Sequence, residues 1–316
     1  MRLAFLGNDP WSVPPLEAMA ASDHEVALVI TNPPRPAGRG SRLRPTAVAD
    51  AARVLGLRLK EVAGVNGGEG LTSLRDAAPD VLVVVAYGEL LAPSVLAIAP
   101  QGALNLHLSL LPRWRGAAPV QHALLAGDAT TGVTVMRMDA GLDTGPILAQ
   151  EEERVREDDD AGSLGVRLAE HGGRLLTQAL DDLEMGRAEA REQDAAAATF
   201  APKLTAEDRR IDWSTEAQEV VRRVRALAPT PGATTSFRGE PLKLLSTEVR
   251  YVDFVPEFQP PPVGSLSEMW DGSGAPLVET THGLVLLREV APAGRRRMPA
   301  ADWARGARIQ PGERLG

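Results

Sequence analysis

The chain contains no cysteine, which excludes disulfides, a thiol nucleophile and thiolate metal ligands. Aromatic residues are scarce, at 4%, so any core must rest on Leu, Val and Ala. No apolar run approaches the roughly 20 residues needed to cross a bilayer. The apolar stretch Leu3–Leu6 stops at Asn8-Asp9-Pro10, too short for an export signal, so a cytoplasmic protein without membrane contact is expected. No GxGxxG follows the first strand and no GxxxxGK(S/T) occurs, which removes the main support for a nicotinamide or nucleoside-triphosphate site. The five histidines lack HExxH spacing and cysteine partners, so no metal is expected.

What is present suits two folded domains: 316 residues with 44% hydrophobic content. Net charge is −8. Residues 1–199 hold 18 Lys and Arg against 27 Asp and Glu, whereas residues 200–316 hold 16 against 15. The acidic excess therefore lies in the first part. Any association with nucleic acid must be local and salt-sensitive.

Apolar runs and helical stretches alternate through the first part. Strands are expected over Arg2–Gly7, Glu25–Thr31, Leu57–Glu61, Val81–Ala86, residues 102–108 and Thr131–Met138. Helices are expected over residues 13–21, Pro45–Leu55, Leu71–Ala78, Pro119–Ala126 and 161–185. This pattern predicts parallel βαβ units. Residues 32–45 stand apart, with Arg35, Arg39, Arg42 and Arg44, no acid, and much Pro and Gly. That composition excludes a helix or a strand interior. The stretch is either a solvated loop or an arm that touches phosphates. Residues 186–206 are Ala-rich, polar and without clear period. Beyond them comes an amphipathic helix over Thr215–Leu227. Short strands then follow over Ala233–Phe237, Leu242–Val249, Gly264–Met269, Leu277–Thr280 and Leu284–Val290, which suit a small barrel.

Chemistry concentrates at the end of the 102–108 strand. Side chains alternate along a strand, so Asn105 and His107 share one face while Leu104, Leu106 and Leu108 take the other. Pro112 and Gly116 shape the loop that follows. Open α/β sheets bind ligands at this edge. Asp143, in the Gly-rich loop after the Thr131–Met138 strand, is the natural third member.

The motif Asn105-x-His107-x-Ser109-Leu110-Leu111-Pro112-x-x-Arg115-Gly116-Ala117-Ala118-Pro119, followed by Gly141-Leu142-Asp143-Thr144-Gly145, resembles the folate-dependent formyltransferases. Val84-Val85-Ala86-Tyr87-Gly88 and Arg35-Pro36-Ala37-Gly38-Arg39-Gly40 fit the same family, and the likeness runs along essentially the whole chain. It is strongest to the branch that acts on initiator tRNA. Asn8-Asp9-Pro10 departs from the Gly-Thr-Pro turn common in that branch.

The resemblance implies a Rossmann-like, mostly parallel sheet with flanking helices in residues 1–188. A linker over 189–206 and an OB-like β-barrel domain that contacts tRNA over 207–316 would follow. It implies 10-formyltetrahydrofolate as co-substrate and the amino group of initiator methionyl-tRNA as acceptor, in a monomer. Asn105, His107 and Asp143 would be catalytic. Ser109, Leu110, Leu111, Pro112, Tyr87 and Gly88 would border the folate. Arg35, Arg39, Arg42 and Arg44 would meet the tRNA acceptor stem.

Formyl transfer to an amine is acyl transfer, which needs an oxyanion donor and a proton acceptor. The Asn105 amide can donate; losing one such donor typically costs about 2.7–4 kcal/mol of barrier. His107 can donate when charged or accept when neutral. Asp143 can favour the charged imidazole or take the proton itself. With no cysteine and no GxSxG serine, direct attack on the formyl carbon suffices. The alternatives are a relative acting on glycinamide ribonucleotide or an amino sugar nucleotide, which would need neither the Arg loop nor the second domain, a non-catalytic folate- or RNA-binding protein, and a hydrolase that releases formate.

Overall fold

The computed structural model describes residues 1–37, 42–251, 261–267, 272 and 274–316. Arg39, and the end of the strand expected over Gly264–Met269, lie outside the described residues. In chain order the strands of the first part are β1 (Arg2–Gly7), β2 (Glu25–Thr31), β3 (Arg35–Ala37), β4 (Arg42–Arg44), β5 (Leu59–Glu61), β6 (Val81–Val85), β7 (Ala103–His107), β8 (Thr130–Arg137) and β9 (Ile147–Arg154). The helices are α1 (Val13–Ala20), α2 (Ala47–Val54), α3 (Gly68–Ala77), α4 (Pro93–Leu96), α5 (Pro119–Ala126) and α6 (Ala161–Glu184). No helix among the described residues is long and apolar enough to cross a membrane.

Seven strands make one sheet in the order β5-β2-β1-β6-β7-β8-β9. The pairs from β5 to β7 are parallel, and β7–β8–β9 are antiparallel. The mostly parallel, Rossmann-like expectation is met. β6 is Val-Leu-Val-Val-Val and buried throughout, as befits a central strand covered on both faces. From β1 the chain winds one way to β2 and the other way to β6, so the loops after β1 and β6 diverge. That divergence opens a crevice at the carboxyl ends of the strands.

Two local results differ from expectation. Residues 35–44 are not wholly irregular: β3 and β4 pair antiparallel, with Pro36 opposite Leu43. In an isolated two-stranded ribbon both strands are edges, so a residue lacking an N–H is tolerated. Secondly, α3 begins at Gly68 rather than Leu71. A Cβ at Gly70 would lie 2.2 Å from the Gly64 carbonyl oxygen, so the glycines read as a turn are what let the first helical turn close on residues 64–65.

The chain divides into two compact units. One comprises residues 1–119, 129–154 and 165–203, and the other comprises 120–128, 155–164 and 204–316. In the second, α7 (Ala217–Leu227) buries Val220, Val221, Val224 and Leu227, the face expected from the period. β10 (Ala233–Phe237), β11 (Glu240–Arg250), β12 (Leu277–Glu279), β13 (Leu284–Pro292) and β14 (Met298–Pro299) precede α8 (Ala300–Ala307). The antiparallel order is β10-β11-β13-β12, with β14 on β13. Single bridges continue the ring: Leu266 to Val278, Ser265 to Arg314, and Leu315 to Phe237. This half-barrel sheet thereby curls around Trp213, Leu244, Leu287 and Trp303, all buried.

Candidate active site

β7 carries the site and is buried along its whole length. α6 braces its back. A Cβ at Gly172 would lie 2.7 Å from Leu106 Cδ2, so any larger residue there would make Leu106 or the helix shift. With Leu106 committed to that side, Asn105 and His107 face the other. They are 8% and 6% exposed, polar groups held at the end of an otherwise apolar strand.

His107 Nε2 lies 2.8 Å from the carbonyl oxygen of Trp114. A carbonyl only accepts, so Nε2 keeps its hydrogen and donates it. That leaves Nδ1 as the nitrogen turned toward the second loop. It faces Asp143 Oδ2 at 3.7 Å, an ion-pair separation rather than a hydrogen bond. Oδ2 also accepts the Gly116 N–H at 2.8 Å. Asp143 has φ +53°, a left-handed conformation that Asp and Asn enter more readily than most residues. Its loop is closed by Asp139, whose Oδ1 accepts from Gly141 N at 2.9 Å and Thr144 Oγ1 at 2.7 Å. The structure therefore brings Asn105, His107 and Asp143 to one strand end.

Beneath the loop after β7 lies a polar lattice. Thr134, fully buried and opposite His107 on β8, donates to Ser109 O at 2.6 Å and accepts from Leu111 N at 3.2 Å. Gln150 Nε2 donates to Leu111 O and to Thr134 Oγ1, each at 2.9 Å. The residues expected to border a folate divide into two groups. Ser109 is buried, with its hydroxyl donating to Arg113 O at 2.6 Å. Leu111 packs with Met136 and Ile147, and Tyr87 belongs to the buried hydrophobic cluster that also holds Leu6, Ile30 and Leu91. Burial, then the charge of Glu89, pushes the Tyr87 phenol well above its usual range. Leu110 and Pro112 are half-buried and Gly88 is exposed. Arg35, Arg42 and Arg44 are exposed on the β3–β4 ribbon.

Sequence reasoning missed the residues that hold the two loops. Gln193 Nε2 donates to Asp143 O at 3.0 Å and Gly145 O at 2.7 Å. Its Oε1 accepts Nε and Nη2 of the buried Arg115 at 3.1 and 2.6 Å. Trp114 N donates to Thr199 Oγ1 at 2.9 Å, and Arg115 N to Thr199 O at 2.9 Å. The stretch expected as a linker thus runs along the loop after β7. Main-chain pairing does this work, and it leaves no hydrophobic period to read.

Residues 1–180 match the family model described as Formyl transferase, and residues 203–308 match Formyl transferase, C-terminal domain. The methionyl-tRNA formyltransferase of Streptomyces coelicolor is 45% identical over 317 residues, covering 100% of both chains. That of Thermus thermophilus is 44% identical over 316 residues, covering 100% of this chain and 99% of its own. HypX from Aquifex aeolicus, solved in complex with tetrahydrofolic acid, shares the fold at a TM-score of 0.65 and 18% identity, over 96% of this chain and 47% of that one. With both domains matched in order and the likeness spanning the full length, the chain belongs to the formyl transferase family, among the methionyl-tRNA formyltransferases.

Proposed function

We propose that this protein transfers the formyl group of 10-formyltetrahydrofolate to the free amine of methionine on initiator tRNA, giving N-formylmethionyl-tRNA. The carrying observation is the pinned imidazole: His107 Nε2 is held by Trp114 O, and Nδ1 faces Asp143 Oδ2 two residues from Asn105. The full-length likeness to methionyl-tRNA formyltransferases favours this acceptor over a ribonucleotide or an amino sugar.

The amine nitrogen attacks the formyl carbon, and the carbonyl pair moves onto oxygen. The Asn105 NH₂ donates to that oxyanion from a dry strand end, where such a donor acts most strongly. The amine proton passes to Asp143 or to His107 Nδ1, the two groups that face each other. The carbon–nitrogen bond to the folate then breaks, and the leaving nitrogen takes a proton back. The exposed edge of Leu110, Pro112 and Gly88 borders the folate, with main-chain groups of the same loops as its polar partners. Arg35, Arg39, Arg42 and Arg44 meet phosphates of the acceptor stem. The proposed state is a monomer and the proposed location the cytoplasm.

The test is transfer of labelled formyl from the folate to methionine charged on initiator tRNA, with charged elongator tRNA beside it. Formylation of the initiator alone is the expected result. Formylation of a ribonucleotide or amino sugar in its place would overturn the reading.

A further inference from the structure

The loop after β1 opens on the crevice where the strand order reverses, yet the reaction as described leaves it without a role. Its residue Asn8 has all of its side-chain hydrogen-bonding atoms engaged across three segments. Nδ2 donates to the carbonyl of Tyr87, in the loop after β6. Oδ1 accepts from Asn32 N at 2.7 Å and from Thr31 Oγ1 at 2.9 Å. Tyr87 O can only accept and Asn32 N–H can only donate, so the orientation of the amide is forced.

The network extends one step further and has a direction. Thr31 Oγ1 gives its hydrogen to Asn8, so in its 2.7 Å contact with Thr46 Oγ1 it is the acceptor. Thr46 Oγ1 in turn accepts from Ala49 N at 3.0 Å, capping α2. Thr31 is fully buried, which keeps water from competing for these bonds. The β3–β4 ribbon leaves the sheet after Asn32 and returns at Thr46. Both of its legs are therefore tied to one amide, and that amide is tied to the loop after β6.

We propose that Asn8 is a positioning residue, which fixes the legs of the arginine ribbon to the folate-side loop and so sets where Arg35, Arg42 and Arg44 stand relative to the formyl-transfer site. The inference rests on the proposed tRNA acceptor. It assigns Asn8 no contact with substrate: the bonds to Tyr87, Asn32 and Thr31 are all that it requires.

The experiment measures kcat and KM with methionyl-tRNA and with methionyl-adenosine, which carries the amine but no phosphate. Asn8→Ala removes all the bonds. It is expected to raise the KM for methionyl-tRNA about tenfold, while kcat/KM for methionyl-adenosine stays within about threefold. Asn8→Asp keeps the acceptors for Asn32 and Thr31 but turns an oxygen toward the Tyr87 carbonyl. That cuts the tie to the folate-side loop, and it is expected to raise the KM for the folate and the KM for methionyl-tRNA about fivefold each. Thr31→Val keeps the shape of the side chain and breaks the link to Thr46, with an expected rise of about threefold for methionyl-tRNA alone. Equal losses for both acceptors in Asn8→Ala, or an unchanged KM for methionyl-tRNA, would overturn the proposal. If Asn8→Ala does not fold, an unchanged KM for methionyl-tRNA in Thr31→Val overturns it instead. Failure of the proposed function is visible separately, as wild-type protein that formylates neither methionyl acceptor.

Discussion

The end of β7 and the β3–β4 ribbon lie in the same unit and hold their polar groups in opposite ways. At β7 the imidazole and the carboxylate are fixed by main-chain partners, Trp114 O and Gly116 N, and the loop that carries the carboxylate by the Gln193 side-chain amide bridging Asp143 O and Gly145 O. On the ribbon three arginines stand exposed on strands of three residues each, whose legs at Asn32 and Thr46 are tied to the sheet. The difference follows from what each must do. A group that stabilises developing charge must be in place beforehand, because reorganising it during the reaction forfeits most of its effect. A guanidinium that meets a phosphate needs reach and an open approach, and its attraction acts over about 8–10 Å in ordinary salt.

The comparison breaks most visibly at Asp143. Asp143→Asn suits the left-handed backbone and retains an oxygen for Gly116 N–H, so the loop should stand while the charge is lost. Turnover is expected to fall at least about a hundredfold, with thermal unfolding unchanged. Asn105→Ala should do the same. Single-turnover formyl transfer measures both. Near-normal turnover in either variant removes that residue from the reaction.

Next in size is Arg42→Ala. The KM for methionyl-tRNA should rise about tenfold at low salt, and the gap between variant and wild type should narrow as salt increases. Methionyl-adenosine should not register the change. Equal losses for the two acceptors would erase the distinction drawn between ribbon and strand end.

Gln193→Ala tests whether the strand end is held in place as firmly as its bonds imply. The change strips Arg115 of its amide partner and leaves the Asp143 and Gly145 carbonyls without theirs. Stability is expected to drop by about 1–3 kcal/mol, and kcat by about fivefold with little change in KM. Denaturant unfolding alongside steady-state kinetics reads both. Unchanged kcat would mean that Asp143 holds its position without this support.

The two regions also differ in how far the sequence discloses them. Val81–Val85 announces a buried strand by composition, and alternation alone places Asn105 and His107 on one face. Asp143 is legible because its Gly-rich loop follows a strand. Gln193 and Thr199 are not, since single hydrogen bonds to main chain require no pattern in the residues around them. On the ribbon, Pro36 conceals a strand that exists only because neither of its edges is interior. The half-barrel poses the same difficulty, because isolated bridges at Leu266, Ser265 and Leu315 carry its pairing onward.

Tyr87 gives the smallest effect and the sharpest test of where the folate edge ends. The resemblance placed it on that edge, whereas its ring lies in the core at 4% exposure and its Oη has no hydrogen-bond partner among the described residues. Its carbonyl accepts from Asn8, in the loop after β1. A buried hydroxyl without a partner carries a desolvation cost that Phe does not. Tyr87→Phe is therefore expected to leave kcat and the KM for the folate within about twofold and to raise stability by up to about 1 kcal/mol. A folate KM that climbed tenfold would mean that the phenol turns outward when the folate binds. The boundary between core and site would then lie one residue further inside than the packing now places it.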